Sequence, residues 1–148
     1  MSKKLISIIF IYILLTGCDT VMGPEDNSYN YYLEISAPDL VIDNNGFYIM
    51  TFNTENYQEF TTLKAETGSI AEHQLLYWIS NKEYAIEWYN EIEWINLINS
   101  TSYTDDEGFA YGVLSSWAAF VGDTIKVYCG YEDNYGNQYL DSLGVIIQ

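Results

Sequence analysis

Thr124-Ile125-Lys126-Val127-Tyr128-Cys129-Gly130-Tyr131 (TIKVYCGY) decides the fold. Ile125, Val127 and Cys129 alternate with other residues and face one way, the period of a strand with one buried side. Gly122-Asp123 turns into this run. EDNYGN (132–137) turns out of it, and QYLDSLGVIIQ (138–148) is a further strand.

The same punctuation recurs upstream. YYLEISA (31–37) alternates and stops before Pro38. LVID runs into Asn44-Asn45-Gly46 and FYIMTF (47–52) follows, so 40–52 reads as a hairpin. EFTTLKAET (59–67) places Thr61, Leu63 and Ala65 on one face and Thr62 and Lys64 on the other, and Gly68 ends it. LLYWIS (75–80) is an unbroken apolar run of strand length, expected to be covered on both faces. YAIEWY (84–89) and IEWINLI (92–98) come next, then the turn SYTDDEG (102–108) and FAYGVLSS (109–116). A helix over EYAIEWYNEIEWINLI competes, but its apolar positions keep no 3.6-residue spacing and its bulk is β-branched and aromatic. The expectation is an all-β, antiparallel sandwich of about seven to nine strands over residues 31–148. Leu63, Ala65, Trp78, Ala110, Leu114, Ile125, Val127, Cys129, Val145 and Ile147 form its expected core.

The chain carries 21 acidic residues against five lysines and no arginine, a formal net charge of −16. Such a surface repels nucleic acid, whose binding needs Lys and Arg to displace counterions. It stands off anionic headgroups and suits cations or a basic partner. With 15 Tyr, 6 Phe and 4 Trp the chain can bury a core without disulfides.

At the N-terminus Lys3 and Lys4 precede an apolar stretch, Leu5 to Leu15, then Thr16, Gly17 and Cys18. That order is an export signal over residues 1–17, too short to span a bilayer. LTGC (15–18) resembles the bacterial lipobox, which implies that Cys18 carries the lipid and becomes the mature N-terminus. Acyl chains contribute about 0.8 kcal/mol per buried methylene, so Cys18 would tether the protein to a membrane of the bacterial cell envelope. Asp19 resembles an inner-membrane retention signal of enteric bacteria, a rule that differs between groups, so the membrane stays open. Residues 18–30, DTVMGPEDNSYN after the cysteine, have the composition of a flexible tether. Cys129 is left without an intramolecular partner and reads as a small buried residue.

TDDEGFAYGVLSS and VGDTIKVYCGY together resemble the bacterial Ig-like repeats of the invasin/intimin kind, group 1 or Big-1. Thr104, Asp105, Gly108 and Ala110 match the first part of that pattern, Leu114, Ser115 and Ser116 the second, and Gly122, Ile125 and Val127 the third. TTLKAET and LLYWIS resemble the family's preceding strands, so the resemblance spans about residues 58–148. It implies a non-enzymatic module for adhesion, scaffolding or protein docking.

The chemistry-bearing residues are few. His73 is the one histidine, and no nucleophile motif accompanies it. An enzyme would have to use Glu87 or Glu91 in a deep pocket with a second, convergent carboxylate. Zinc has no ligand set. Calcium is the candidate cation, with Asp105, Asp106 and Asp133 as ligands in oxygen-rich loops whose turn propensity explains them equally well. Trp88, Tyr89 and Trp94 are the candidate ligand-binding aromatics. Beside docking of an unknown protein stands a second reading, a lipid-anchored carbohydrate-binding module in which these rings stack on glycan.

Overall fold

The computed structural model describes residues 32–68 and 73–148. The signal segment 1–17, Cys18 and the tether 18–30 lie outside the described residues.

The described residues form eleven strands in chain order: β1 (Glu34–Ser36), β2 (Val41–Ile42), β3 (Tyr48–Met50), β4 (Gln58–Glu66), β5 (Leu75–Ser80), β6 (Glu83–Trp88), β7 (Glu91–Asn96), β8 (Thr101–Tyr103), β9 (Phe109–Trp117), β10 (Thr124–Glu132) and β11 (Gln138–Ile147). One 3-10 turn, Ala118–Phe120, joins β9 to β10. The four longest strands, β4, β9, β10 and β11, are the ones the alternation announces. β1, β2 and β3, in the segments expected as a strand and a hairpin, are two or three residues long, and β8, of three residues, runs into the segment expected as the turn 102–108.

Two sheets face each other. The smaller has the order β1-β4-β9, the larger β2-β3-β11-β10-β5-β8. Every pair is antiparallel except β3 with β11, which run parallel. With β4 beside β9 in one layer and β5, β10 and β11 in the other, this is the strand arrangement of an Ig-like sandwich. A third sheet, the ribbon β6–β7, is inserted after β5.

The inner faces follow from parity. β4 buries Thr61, Leu63 and Ala65; β9 buries Ala110, Leu114 and Ser116; β10 buries Ile125, Val127 and Cys129; β11 buries Leu143, Val145 and Ile147. All ten residues expected in the core are buried. Burial pushes the Cys129 thiol up to about 12, with the Asp141 carboxylate adding to the effect, so this cysteine is an inert core residue.

The run LLYWIS departs from expectation. It is not covered on both faces: Leu76, Trp78 and Ser80 are buried, while Tyr77 and Ile79 stand out in solvent. The cause is the layer count. An antiparallel sandwich covers each sheet on one side only, and Tyr77 and Ile79 are left exposed among the described residues. The segment 83–98 is a hairpin, with Tyr89 and Asn90 in the turn at φ 50° and 66°. Both signs are those of a two-residue primed turn.

Trp78 bridges the layers. Its main-chain N–H donates to Ser100 O at 2.9 Å, and its indole Nε1–H to Ser102 Oγ at 2.8 Å. The ring lies against Gly112 of β9, where a Cβ would come within 3.1 Å of the indole and 2.9 Å of Ile98 Cδ1. Gly112→Ala therefore overpacks the centre of the sandwich. We expect a loss of about 1–3 kcal/mol, read as a lowered urea midpoint with an unchanged slope.

Candidate functional site

The outward parity of β5, β10 and β11 builds a groove. Register sets Tyr77, Gly130 and Leu140 in one row across the three strands, with Ile79 opposite Tyr128 in the next and Glu132 opposite Gln138 on the other side. Gly130 has no side chain, so the row is open in the middle, and its floor is β10 backbone. A Cβ there would sit 3.1 Å from Tyr139 O and 3.3 Å from Leu140 Cδ1. The resulting concavity is about 600 Å³, walled by Tyr77 and Ile79 on one side and Leu140 on the other. These walls are 60%, 56% and 73% exposed. Contiguous apolar surface of this kind marks interaction sites. Glu132 brings a carboxylate to one end, with Oε2 3.4 Å from Gln138 Nε2.

The ribbon β6–β7 is anchored at its base and exposed beyond it. Ser80 Oγ lies 2.6 Å from Lys82 O and 2.8 Å from Asn96 Oδ1, and Leu97 N–H donates to Ser80 Oγ at 3.2 Å. Tyr84 stacks on Trp117 with ring centroids 4.5 Å apart and planes 5° from parallel, and Phe120 meets both edge-on. Tyr89, in the turn, is 87% exposed, and Trp94 on β7 is 62% exposed. Trp94 pairs with Ala85, and position 88 pairs with Glu91. By this register positions 88 and 94 belong to opposite faces of the ribbon, so the structure brings the three onto one ribbon but not onto one platform. Glu87 pairs with Ile92 and Glu91 with position 88, which separates those two carboxylates in the same way. A second concavity of about 380 Å³ runs between β6 and the body, lined by Tyr57, Gln58, Tyr84, Ala85, Ile86, Glu87 and Trp117.

The acidic loops share one construction. In Asp43–Phe47, Asp105–Phe109 and Asp133–Asn137 the aspartate N–H donates to the carbonyl four residues on, and the glycine N–H donates back to the aspartate carbonyl. In each, one carboxylate oxygen accepts two further main-chain N–H groups: Asn45 and Phe47, Glu107 and Phe109, Tyr135 and Asn137. The glycines have φ of 86°, 83° and 81°, a left-handed conformation that other residues enter at a cost. Asp105 and Asp106 thus share one turn, and Asp133 is in another. Among the described residues no group of three or more His, Cys, Asp or Glu side chains is placed to hold a metal ion. His73 is exposed, at φ 63°, with its N–H donating to Thr104 O.

Sequence reasoning missed the groove and the cleft. Gly130 inside an otherwise bulky strand is the signal for the groove, since an isolated strand glycine marks close approach or open space. Nothing local marks the cleft, which joins residues from β4, β6 and β9 with Tyr57.

Fold and site together define an acidic Ig-like sandwich with an apolar groove on its larger sheet and a projecting ribbon. No protein-family model and no curated protein matches the chain. Several solved structures are distantly similar, two of which follow. One is the sporulation control protein Spo0M of Bacillus subtilis, at 8% identity and a TM-score of 0.35, over 79% of this chain and 49% of that one. This chain therefore spans about half the length of that protein. The other is the N-terminal domain of PorA, at 14% identity and a TM-score of 0.33, over 76% of this chain and 96% of that one. Likenesses this distant carry no argument about function.

Burial works against the charge on Asp133. Hydrogen bonds from the Asn137 side chain and N–H, the Tyr135 N–H and the Tyr139 hydroxyl outweigh it and hold the carboxyl below its usual range. At Asp43 the Phe47 N–H is the main cause of the same depression, against a smaller opposing effect of burial. A carboxylate depressed in the folded state stabilises above its unfolded pKa of about 3.9, and that contribution disappears as pH falls through the lower folded value. Asp133→Ala should therefore lower the urea midpoint at neutral pH, and the gap to wild type should shrink in acid, below about pH 3.

Proposed function

We propose that this chain is a lipid-anchored cell-envelope protein, with an Ig-like domain of the invasin/intimin group, that works without catalysis by docking a protein partner. The observation that carries the docking is the Tyr77–Gly130–Leu140 groove, an apolar trough on an otherwise acidic molecule. The occupant is a protein with an apolar anchor side chain and a basic rim. A second copy of the chain would bring one strongly negative surface against another, a repulsion that favours a cationic partner instead. Support for the anchor is LTGC (15–18) behind an apolar core of the right length.

A second reading, the carbohydrate-binding module, draws on the exposure of Trp94 and Tyr89. Saturable retention on a glycan array, lost in Trp94→Ala, would favour it over protein docking.

The anchor is checked by labelled palmitate. Wild type should incorporate it and fractionate with membranes, and Cys18→Ala should do neither. Unfolded mature protein should titrate one free thiol, that of Cys129; two free thiols would exclude a thioether at position 18. For docking, a photo-crosslinker at position 77 should trap a discrete partner in intact envelopes, and Leu140→Asp should abolish the adduct. A crosslinker at exposed position 113, on the other sheet, should give none. Equal adducts from both positions would sink the groove as the docking site.

A further inference from the structure

We propose that the free edge of β6 is a second binding site, which takes an extended basic segment of a partner protein as an added strand. This goes beyond docking on the outer groove, because it uses another sheet and another kind of bond.

Among the described residues the ribbon has two strands, so β6 is paired there on one side only. Its two-residue turn fixes which main-chain groups are spent. Across such a turn the flanking residues, at positions 88 and 91, exchange both hydrogen bonds, and so do alternate pairs beyond them, Ile86 with Glu93 and Tyr84 with Ile95. The N–H and C=O of Ala85 and Glu87 therefore point away from β7. The 380 Å³ cleft is lined by Ala85 and Glu87 themselves, together with Tyr57, Gln58 and Trp117. Neither residue's main chain hydrogen-bonds to another described residue. An exposed row of donors and acceptors is a template for strand addition, and here its residues also line a cleft.

The side chains say what kind of strand fits. By parity, Glu83, Ala85 and Glu87 share one face of β6, and Tyr84 and Ile86 the other. A strand paired to β6 meets carboxylates on one face and aromatic or aliphatic surface on the other, where Tyr84 is already stacked on Trp117. The complementary sequence alternates basic and apolar residues. Glu91 and Glu93 on β7 add to the negative field, and Lys82, beside the ribbon, is engaged with Asp123 at 3.1 Å. The same carboxylates oppose edge-to-edge pairing of two copies, since each ribbon would present glutamates to glutamates. The edge is thus guarded against self-association and open to a cation-bearing strand.

The test uses the full lipidated chain in detergent micelles and the peptide acetyl-Lys-Val-Lys-Val-Lys-amide, followed by amide chemical shifts and hydrogen exchange. In antiparallel addition, lysines lying over the glutamate face bond to Ala85 and Glu87 through their own main-chain N–H groups. Methylating the main-chain nitrogens of the lysines should weaken binding by about tenfold or more, as expected for two lost hydrogen bonds. Methylating those of the valines, at identical charge and composition, should leave it nearly unchanged. Binding should slow exchange at Ala85 and Glu87. Ala85→Pro removes an N–H that β7 does not use, a change that edge strands tolerate, and should abolish binding while the remaining spectrum stays folded. Equal affinity of the two methylated isomers would reduce the interaction to charge attraction and overturn the proposal. So would the absence of saturable binding, or shifts confined to Tyr77, Gly130 and Leu140, although that last result would leave docking on the groove intact.

Discussion

The contact of Trp78 with Gly112 sets the parity of the whole larger sheet. An indole needs a gap in the facing layer, and β9 supplies it with a residue that has no Cβ. Once Trp78 faces inward, Leu76 and Ser80 must follow, and Tyr77 and Ile79 must face out. A shift of one residue would reverse every side chain of the strand. It would put Trp78 in water and break its bonds to Ser100 and Ser102. The groove is therefore not an independent feature added to a finished fold. The same register that seats the indole also lays Tyr77 beside Gly130 and Leu140.

Charge is organised by the same economy of backbone bonds. Three of the acidic loops aim an aspartate at their own main-chain N–H groups. There the negative charge replaces the ladder that a tight turn cannot make. These carboxylates are held by their own loops, whereas the glutamates of the ribbon, Glu83, Glu87, Glu91 and Glu93, stand exposed. Lys64 lies over the Phe109 ring, 3.5 Å from its centroid and 4.0 Å from Glu66, and Lys82 is held by Asp123. Two of the lysines that could temper the acidic surface are thus already engaged.

The long strands were legible because alternation and glycine turns coincide in them. β4, β9, β10 and β11 each alternate over nine or ten residues, with Gly68 after β4 and Gly108, Gly122 and Gly136 in the turns before the other three. LLYWIS misled because an apolar run looks alike whether its second face meets protein or solvent; only the number of layers decides, and that is a tertiary fact. The ribbon turn was hard to place because Tyr89-Asn90 lacks the glycine that usually announces positive φ. Leu97 and Ile98 gave no sign of their depth. They are buried because Ser115 N–H donates to Leu97 O and Ile98 bridges to Leu114, which draws the segment after β7 against β9. The aromatic residues Trp88, Tyr89 and Trp94 were visible as a cluster in sequence, but the register that sets positions 88 and 94 apart depends on a turn whose position alternation alone does not give.

The two ends of the sandwich differ in what they carry. Tyr32 N–H donates to Thr67 O, and the Tyr131 hydroxyl donates to Tyr32 O. Thr67 is joined in turn to Gly108, and Gln74 to Thr104 and Glu132. The first described residue thus enters at the end built from the turns 104–108 and 132–137. β5 runs away from that end, and the ribbon leaves it at Ser80 beside Asn81 and Lys126, which bond to each other at the far end. A chain held through Cys18 would enter at one end and carry the base of the ribbon at the other. The β6 edge would then lie on the side of the domain away from the entry point. Under that anchoring the groove and the ribbon need not compete for one partner, because β5 sets its outer face toward one and delivers the other from its end.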